Sequence, residues 1–202
     1  MNTILHLSSS IFGEGGQSSR LASQFVGQFP GARVIQRDLS KDPLPHLDAE
    51  RFGAFLSKPD ARTLAQQKVL DESDALIAEL KAADTLVIGL PMYNFGIPSQ
   101  LKAYFDHVAR AGVTFKYTDK GAVGLLDGKR AYVFAARGGL YQGTPRDTQT
   151  AYVRDFLAFV GITDVQFVYA EGLAIGEAQK QAALAGAQRA LRELVQPERI
   201  AA

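Results

Sequence analysis

The chain has 202 residues, with 22 basic and 21 acidic side chains and no cysteine. Near-cancelling charge supplies no global field for nucleic acid, an anionic membrane or a polycationic partner, and the lack of thiols excludes disulfide scaffolds, thiolate metal sites and cysteine nucleophiles. The length suits one large domain or at most two small ones, and the 47% hydrophobic content a sizeable buried core; with no leader-like start and no apolar run near the ~20 residues that span a bilayer, a soluble cytoplasmic protein is expected.

Strand-like and helix-like segments then alternate along the chain. Thr3–Leu7 is a short apolar strand, and Gln17–Phe29 has helical spacing with Leu21, Phe25 and Phe29 on one face. Ala32–Leu39 reads as a second strand, closed by the turn-rich Ser40–His46. Thr63–Ala83 is a long helix whose apolar stripe includes Val69, Leu76, Ile77 and Leu80, and Asp84–Leu90 is a third strand. Pro98–Arg110 follows as a helix with Leu101, Phe105 and Val108 on one side. Arg130–Ala136 reads as a fourth strand, Asp147–Val160 as a helix, Asp164–Ala170 as a fifth strand and Glu177–Val195 as the final helix.

Strands separated by helices imply a parallel sheet covered on both faces. Five strands in one series fit a single doubly wound α/β domain of order 2-1-3-4-5, the flavodoxin-like arrangement; the six-strand dinucleotide order needs a strand the chain does not offer. Ala111–Lys129, rich in Tyr, Phe and Gly, is long for a connection and suits a lid or a dimer element.

In that order a ligand sits at the carboxyl ends of the strands, between the first and third. Three loops meet there. Ser8–Ser18 combines hydroxyls, glycines and a helix start, the makings of an anion cradle or of an ordinary capped turn. It is neither a Walker A loop nor GxGxxG, although Asp38 stands about where a dinucleotide fold puts its ribose acid. Pro91-Met92-Tyr93-Asn94-Phe95-Gly96 is stiffened by Pro91 and by the nearby Pro98, with Gly96 expected to make the turn. Its aromatics suit either the core or a flat heteroaromatic ring. The Asn94 amide, donor and acceptor together, matches the edge of a pyrimidine-like ring. In Arg137–Gly143, the pair Gly138-Gly139 admits close backbone approach, and Arg137 is either a counter-charge for a reduced cofactor or a surface cation.

His6, His46 and His107 share no metal-ligand spacing and no triad context, so each reads as structural or exposed and no metal site is expected. No GxSxG elbow or paired-carboxylate pattern occurs. With a cradle and no acid–base machinery, no catalytic side chain is expected. A cofactor would perform the reaction while the fold orients it.

The blocks Pro91-Met92-Tyr93-Asn94-Phe95, Gln100–Asp106, Ala109–Tyr117, Arg137-Gly138-Gly139, Gly161-Ile162-Thr163-Asp164 and Ala170-Glu171-Gly172 resemble, in order, the FMN-dependent NADH-azoreductases, which are also quinone reductases. The resemblance implies a homodimer with one FMN per subunit near the interface. It places the FMN phosphate on Ser10, Gly16, Gln17 and Ser18, the isoalloxazine against Met92, Tyr93, Asn94 and Phe95, and its polar edge beside Ala136, Arg137, Gly138 and Gly139. Phe115, Tyr117 and Phe159 would shape the substrate side. The implied mechanism is ping-pong: NADH or NADPH reduces FMN and leaves, and a quinone or azo compound takes its place, one round for a quinone and two for azo cleavage. The alternatives are a flavodoxin-type electron carrier and an NAD-binding regulator. Two departures are Gly15-Gly16, where Tyr-Ser is common, and Ala136, where Ser is common; FMN is expected to be retained with altered contacts.

Overall fold

The computed structural model describes residues 3–200. Its elements are β1 (Thr3–Ser8), α1 (Gln17–Val26), β2 (Arg33–Asp38), α2 (Ala49–Leu56), α3 (Leu64–Ala82), β3 (Thr85–Pro91), α4 (Ser99–Val108), β4 (Phe115–Thr118), β5 (Gly121–Gly124), β6 (Arg130–Ala136), α5 (Thr150–Val160), β7 (Asp164–Ala170) and α6 (Glu177–Ile200). The main sheet runs β2-β1-β3-β6-β7 with every pair parallel, which is the expected order once the β4–β5 hairpin is set aside.

The pleat sorts the core into two layers. Leu5, Leu7, Ile88 and Val133 meet α3, α4 and α5, whereas Ile4, Val87, Phe134 and Val168 meet α1 and α6. The stripe of α3 is Leu70, Ser73, Leu76, Ile77 and Leu80; Val69 lies only half-buried beside it. A Thr63–Gln66 capping box starts that helix.

Two elements differ from expectation. The stretch beyond the turn-rich Ser40–His46 continues into α2, a helix of 8 residues capped by Asp48, whose carboxylate accepts the Arg51 N–H at 2.8 Å. Two turns leave too short a stripe for periodicity to show. The Ala111–Lys129 stretch contains an antiparallel hairpin pairing Phe115 with Gly124. Gly124 lies so close to α5 that a Cβ would fall 2.1 Å from the Gly161 nitrogen, and the Leu126 N–H bonds the Val160 carbonyl at 2.9 Å. The hairpin is thereby fastened to the end of α5.

His6 is buried in β1, and desolvation lowers its pKa against the raising effect of Asp38. His107 is buried in α4 with Nδ1 at 2.8 Å from the Ala103 carbonyl, and His46 is exposed. Among the described residues no helix is long and apolar enough to cross a membrane.

Candidate functional site

At the end of β1 the Ser9 hydroxyl bonds the Gly89 carbonyl at 2.7 Å, and the chain passes through a 3-10 turn at Gly13–Gly15 into α1. The N-cap of α1 is Gly16, which has no side chain to cap with, so among the described residues the N–H groups of Gln17, Ser18 and Ser19 have no acceptor. The Ser18 and Ser19 hydroxyls are buried without a hydrogen-bond partner among the described residues. A buried, unmatched polar group costs about 1–3 kcal/mol, which a ligand oxygen would relieve. Open donors on a positive helix end and orphaned hydroxyls make this corner fit a phosphate.

Two glycines make that corner possible. A Cβ on Gly16 would lie 2.2 Å from the Ser10 Oγ and 2.7 Å from its Cβ. Ser10 therefore occupies the space a residue-16 side chain would need, and its hydroxyl accepts the Phe12 N–H at 3.2 Å. Gly89 was not singled out in the sequence; its signal was a lone glycine inside an apolar strand. A Cβ there would meet the Ser18 carbonyl at 3.2 Å, so Gly89 lets α1 seat against β3.

The loop after β3 turns on different residues than expected. Asn94 and Phe95 carry positive φ of 50° and 62°, and Tyr93 and Gly96 exchange N–H···O bonds of 3.2 and 2.9 Å. This is a two-residue hairpin turn of the I′ kind, in which Asn suits the first central position and Gly the second. Phe95 takes the glycine position at a cost of about 1–3 kcal/mol, and Gly96 does not supply the turn. The Tyr93 phenol reaches back to the first loop, 3.3 Å from the Ser10 Oγ and accepting the Ile11 N–H at 3.2 Å. Its hydroxyl braces two loops. Asn94 and Phe95 are exposed, and their N–H groups have no partner among the described residues.

Arg137 is not the surface cation that one of its two readings made it. Its side chain is buried, with the residue 1% exposed, and it reaches Asp147 at 2.8 Å, Glu171 at 3.0 Å, Gln149 at 3.2 Å and Thr150 at 3.1 Å. Two carboxylates neutralise it because a buried guanidinium must be paired. Burial opposes ionisation of Asp147, but hydrogen bonds from Arg137 and Thr150 outweigh it and hold the carboxyl below its ordinary value. Glu171 also accepts the N–H groups of Tyr141 and Gln142 at 3.1 and 3.0 Å, which orders the loop. The space beside Gly139 is filled by Tyr141, whose ring lies 2.6 Å from the Cβ position, so the close approach there is internal. The N–H groups of Gly138 and Gly139 stay without a partner among the described residues.

The three loops converge on one cleft of about 320 Å³. Ser10, Gly16 and Gln17 line it from the first loop, Met92 and Tyr93 from the second, and Ala136, Arg137 and Gly138 from the third. Ser18 is buried beneath, and Asn94, Phe95 and Gly139 stand outside the lining. Asp147, Gln149 and Glu171, which hold Arg137, were not identified as site residues from sequence, because their partners lie far along the chain or in loop backbone that no motif marks.

Phe115, Tyr117 and Phe159 do not enter this cleft. They form their own cluster, with the Phe115 ring centroid 4.2 Å from Phe159 and 5.4 Å from Tyr117. The cluster sits where α5 ends and β6 and β7 begin, and Tyr117 is 75% exposed. The 7 residues of β6 separate it from the cleft by about 20 Å.

A profile described as the flavodoxin-like fold matches residues 2–195. The chain is 55% identical to an FMN-dependent NADH:quinone oxidoreductase of Burkholderia lata, over 95% of this chain and 98% of the relative, and 53% identical to one of Cellvibrio japonicus, over 96% and 98%. The chain belongs to this flavodoxin-like oxidoreductase family. Among solved structures of the family, an FMN-dependent NADH-azoreductase from Bacillus anthracis in complex with FMN superposes with a TM-score of 0.84 at 30% identity, covering 96% of this chain and 99% of that one. A second B. anthracis azoreductase gives 0.86 at 28% identity, over 95% and 98%.

Proposed function

We propose that this chain is an FMN-dependent NAD(P)H oxidoreductase that reduces quinones and cleaves azo compounds. The observation that carries the reading is the convergence of the unsatisfied α1 start, the Tyr93–Gly96 turn and the Gly138-Gly139 loop on one cleft. The N–H groups of Gln17, Ser18 and Ser19, with the Ser10 and Ser18 hydroxyls, would hold the phosphate. Met92 to Phe95 would face the ring, and Ala136 to Gly139 its polar edge. When bound, FMN supplies the redox chemistry, taking a hydride from NADH or NADPH and passing the electrons to the acceptor in ping-pong order. The protein contributes orientation and electrostatics. With Arg137 paired to Asp147 and Glu171, negative charge developing in the cleft would be met by the open N–H dipole of Gly138 in the lining, and by those of Asn94, Phe95 and Gly139, which follow the lining residues Tyr93 and Gly138 in the chain.

The reading includes a single domain, a cytoplasmic location and a homodimer. The Tyr117 cluster lies too far from its own cleft to touch an acceptor there, so it would shape the substrate side of a second copy's cleft. Heat release of flavin from the purified protein, followed by anaerobic mixing with NADH, tests the proposal. Direct bleaching of the flavin and its return on adding a quinone or an azo dye are expected. A colourless protein refutes the cofactor, and flavin that NADH does not bleach points to an electron carrier instead.

A further inference from the structure

The turn at Asn94-Phe95 is strained, and the start of α5 grips it. Gln149 is fully buried. Its amide nitrogen donates to the carbonyls of Pro91 and Gly96, each at 2.9 Å, and its amide oxygen accepts from the Arg137 Nε at 3.2 Å. Arginine only donates and carbonyls only accept, so the amide has one orientation that satisfies all three partners. The neighbouring Thr148 hydroxyl bonds the Phe95 carbonyl. Three carbonyls around the turn are thus drawn towards α5. Within the Tyr93–Gly96 turn, the N–H groups of Asn94 and Phe95 have no partner among the described residues.

We infer that Gln149, assisted by Thr148, is a positioning residue that locks the Tyr93–Gly96 turn with its amide donors presented to the cofactor. The inference rests on the proposed function only for what the turn would bind. A non-glycine residue at positive φ persists where its surroundings over-determine it, and here the surroundings are these side chains. Without the grip, Phe95 relaxes towards negative φ and a peptide unit of the turn rotates. A carbonyl would then stand where a donor stood, and the turn would no longer offer hydrogen bonds to the acceptor edge of a flat ring. Gln149 also ties the turn to Arg137, so two walls of the cleft share one buried amide.

The test pairs Gln149→Leu with Phe95→Gly, because glycine adopts the turn conformation without strain. Hydrogen exchange on the flavin-free protein reads the clamp itself. The Gly96 amide, bonded to the Tyr93 carbonyl at 2.9 Å, should exchange at least tenfold faster in Gln149→Leu and slow again in the double variant. For FMN titrated by fluorescence quenching, Gln149→Leu should raise Kd at least tenfold and shift the flavin absorption band. In the Phe95→Gly background the same change should cost less than threefold. Equal costs in both backgrounds, or unchanged exchange at Gly96, overturn the inference. If Gln149→Leu does not fold, Gln149→Glu serves. It keeps an oxygen acceptor for Arg137 but turns a second oxygen on the Pro91 and Gly96 carbonyls in place of the two donors, and must give the same pattern. Wild-type protein that binds no FMN sinks the proposed function, while the exchange experiment still decides the clamp.

Discussion

Gly16→Ser sets a local rule against a tertiary one. Gly16 is the N-cap of α1 with φ −70° and ψ 142°, an ordinary conformation for serine. By helix propensity the substitution is favourable by a few tenths of a kcal/mol, since serine caps better than glycine. The tertiary structure opposes it, because a Cβ would lie 2.2 Å from the Ser10 Oγ and 2.7 Å from its Cβ. Rotating the hydroxyl does not clear the Cβ contact, so the backbone of one loop must move. That displacement breaks the Ser10 bonds to the Phe12 N–H and the Tyr93 hydroxyl, worth roughly 1 kcal/mol each, and overpacking adds about 1–3 kcal/mol. Set against the capping gain, the net loss is about 3–5 kcal/mol, or ~6–20 °C in melting temperature for a chain of this size. Thermal unfolding of the flavin-free protein measures it, and FMN affinity should fall in parallel. The double variant Ser10→Gly with Gly16→Ser removes the clash and should recover most of the loss. A single variant as stable as the parent, or more so, refutes the reasoning.

Further tests address the rest of the site. Arg137→Met leaves Asp147 and Glu171 buried without their cation and should cost about 3–5 kcal/mol in urea unfolding, whereas a loss under ~1 kcal/mol would show the pairs to be dispensable. Asp147 is held below its ordinary 3.8 in the folded state, so its contribution is intact above about pH 4 and is lost as pH falls through the folded pKa. In Asp147→Asn that acid limb should flatten, and an unchanged limb counts against the assignment. Asn94→Gly keeps the turn but removes the amide and should weaken FMN binding by roughly two- to tenfold, the worth of one hydrogen bond; an unchanged Kd discards the ring contact. Tyr117→Arg should reduce the dimer fraction in light scattering and cut quinone reduction at least tenfold with FMN affinity kept. A dimer with unaltered turnover rejects the role assigned across the subunit boundary.

Much of this protein was legible in residue order. Strand and helix alternate with periods that reflect which faces are buried, so the five parallel strands, their order and the three loops at the switch point followed from local pattern. The glycine and hydroxyl content of the first loop left an anion cradle and a capped turn both open, and the missing cap at Gly16 is a tertiary fact. The short helix α2 escaped because two turns carry little periodicity, and the β4–β5 hairpin because four-residue strands do too. The tertiary structure alone decided which partner each polar group found. Arg137 meets Glu171 34 residues away, Tyr93 meets Ser10 83 residues away and Gln149 meets Pro91 58 residues away. Such contacts depend on how loops from different strands close over one another, and no local spacing encodes them. The same reason explains the turn. Proline and glycine advertise bends locally, but a phenylalanine held at positive φ exists only because a distant glutamine and threonine grip the carbonyls around it.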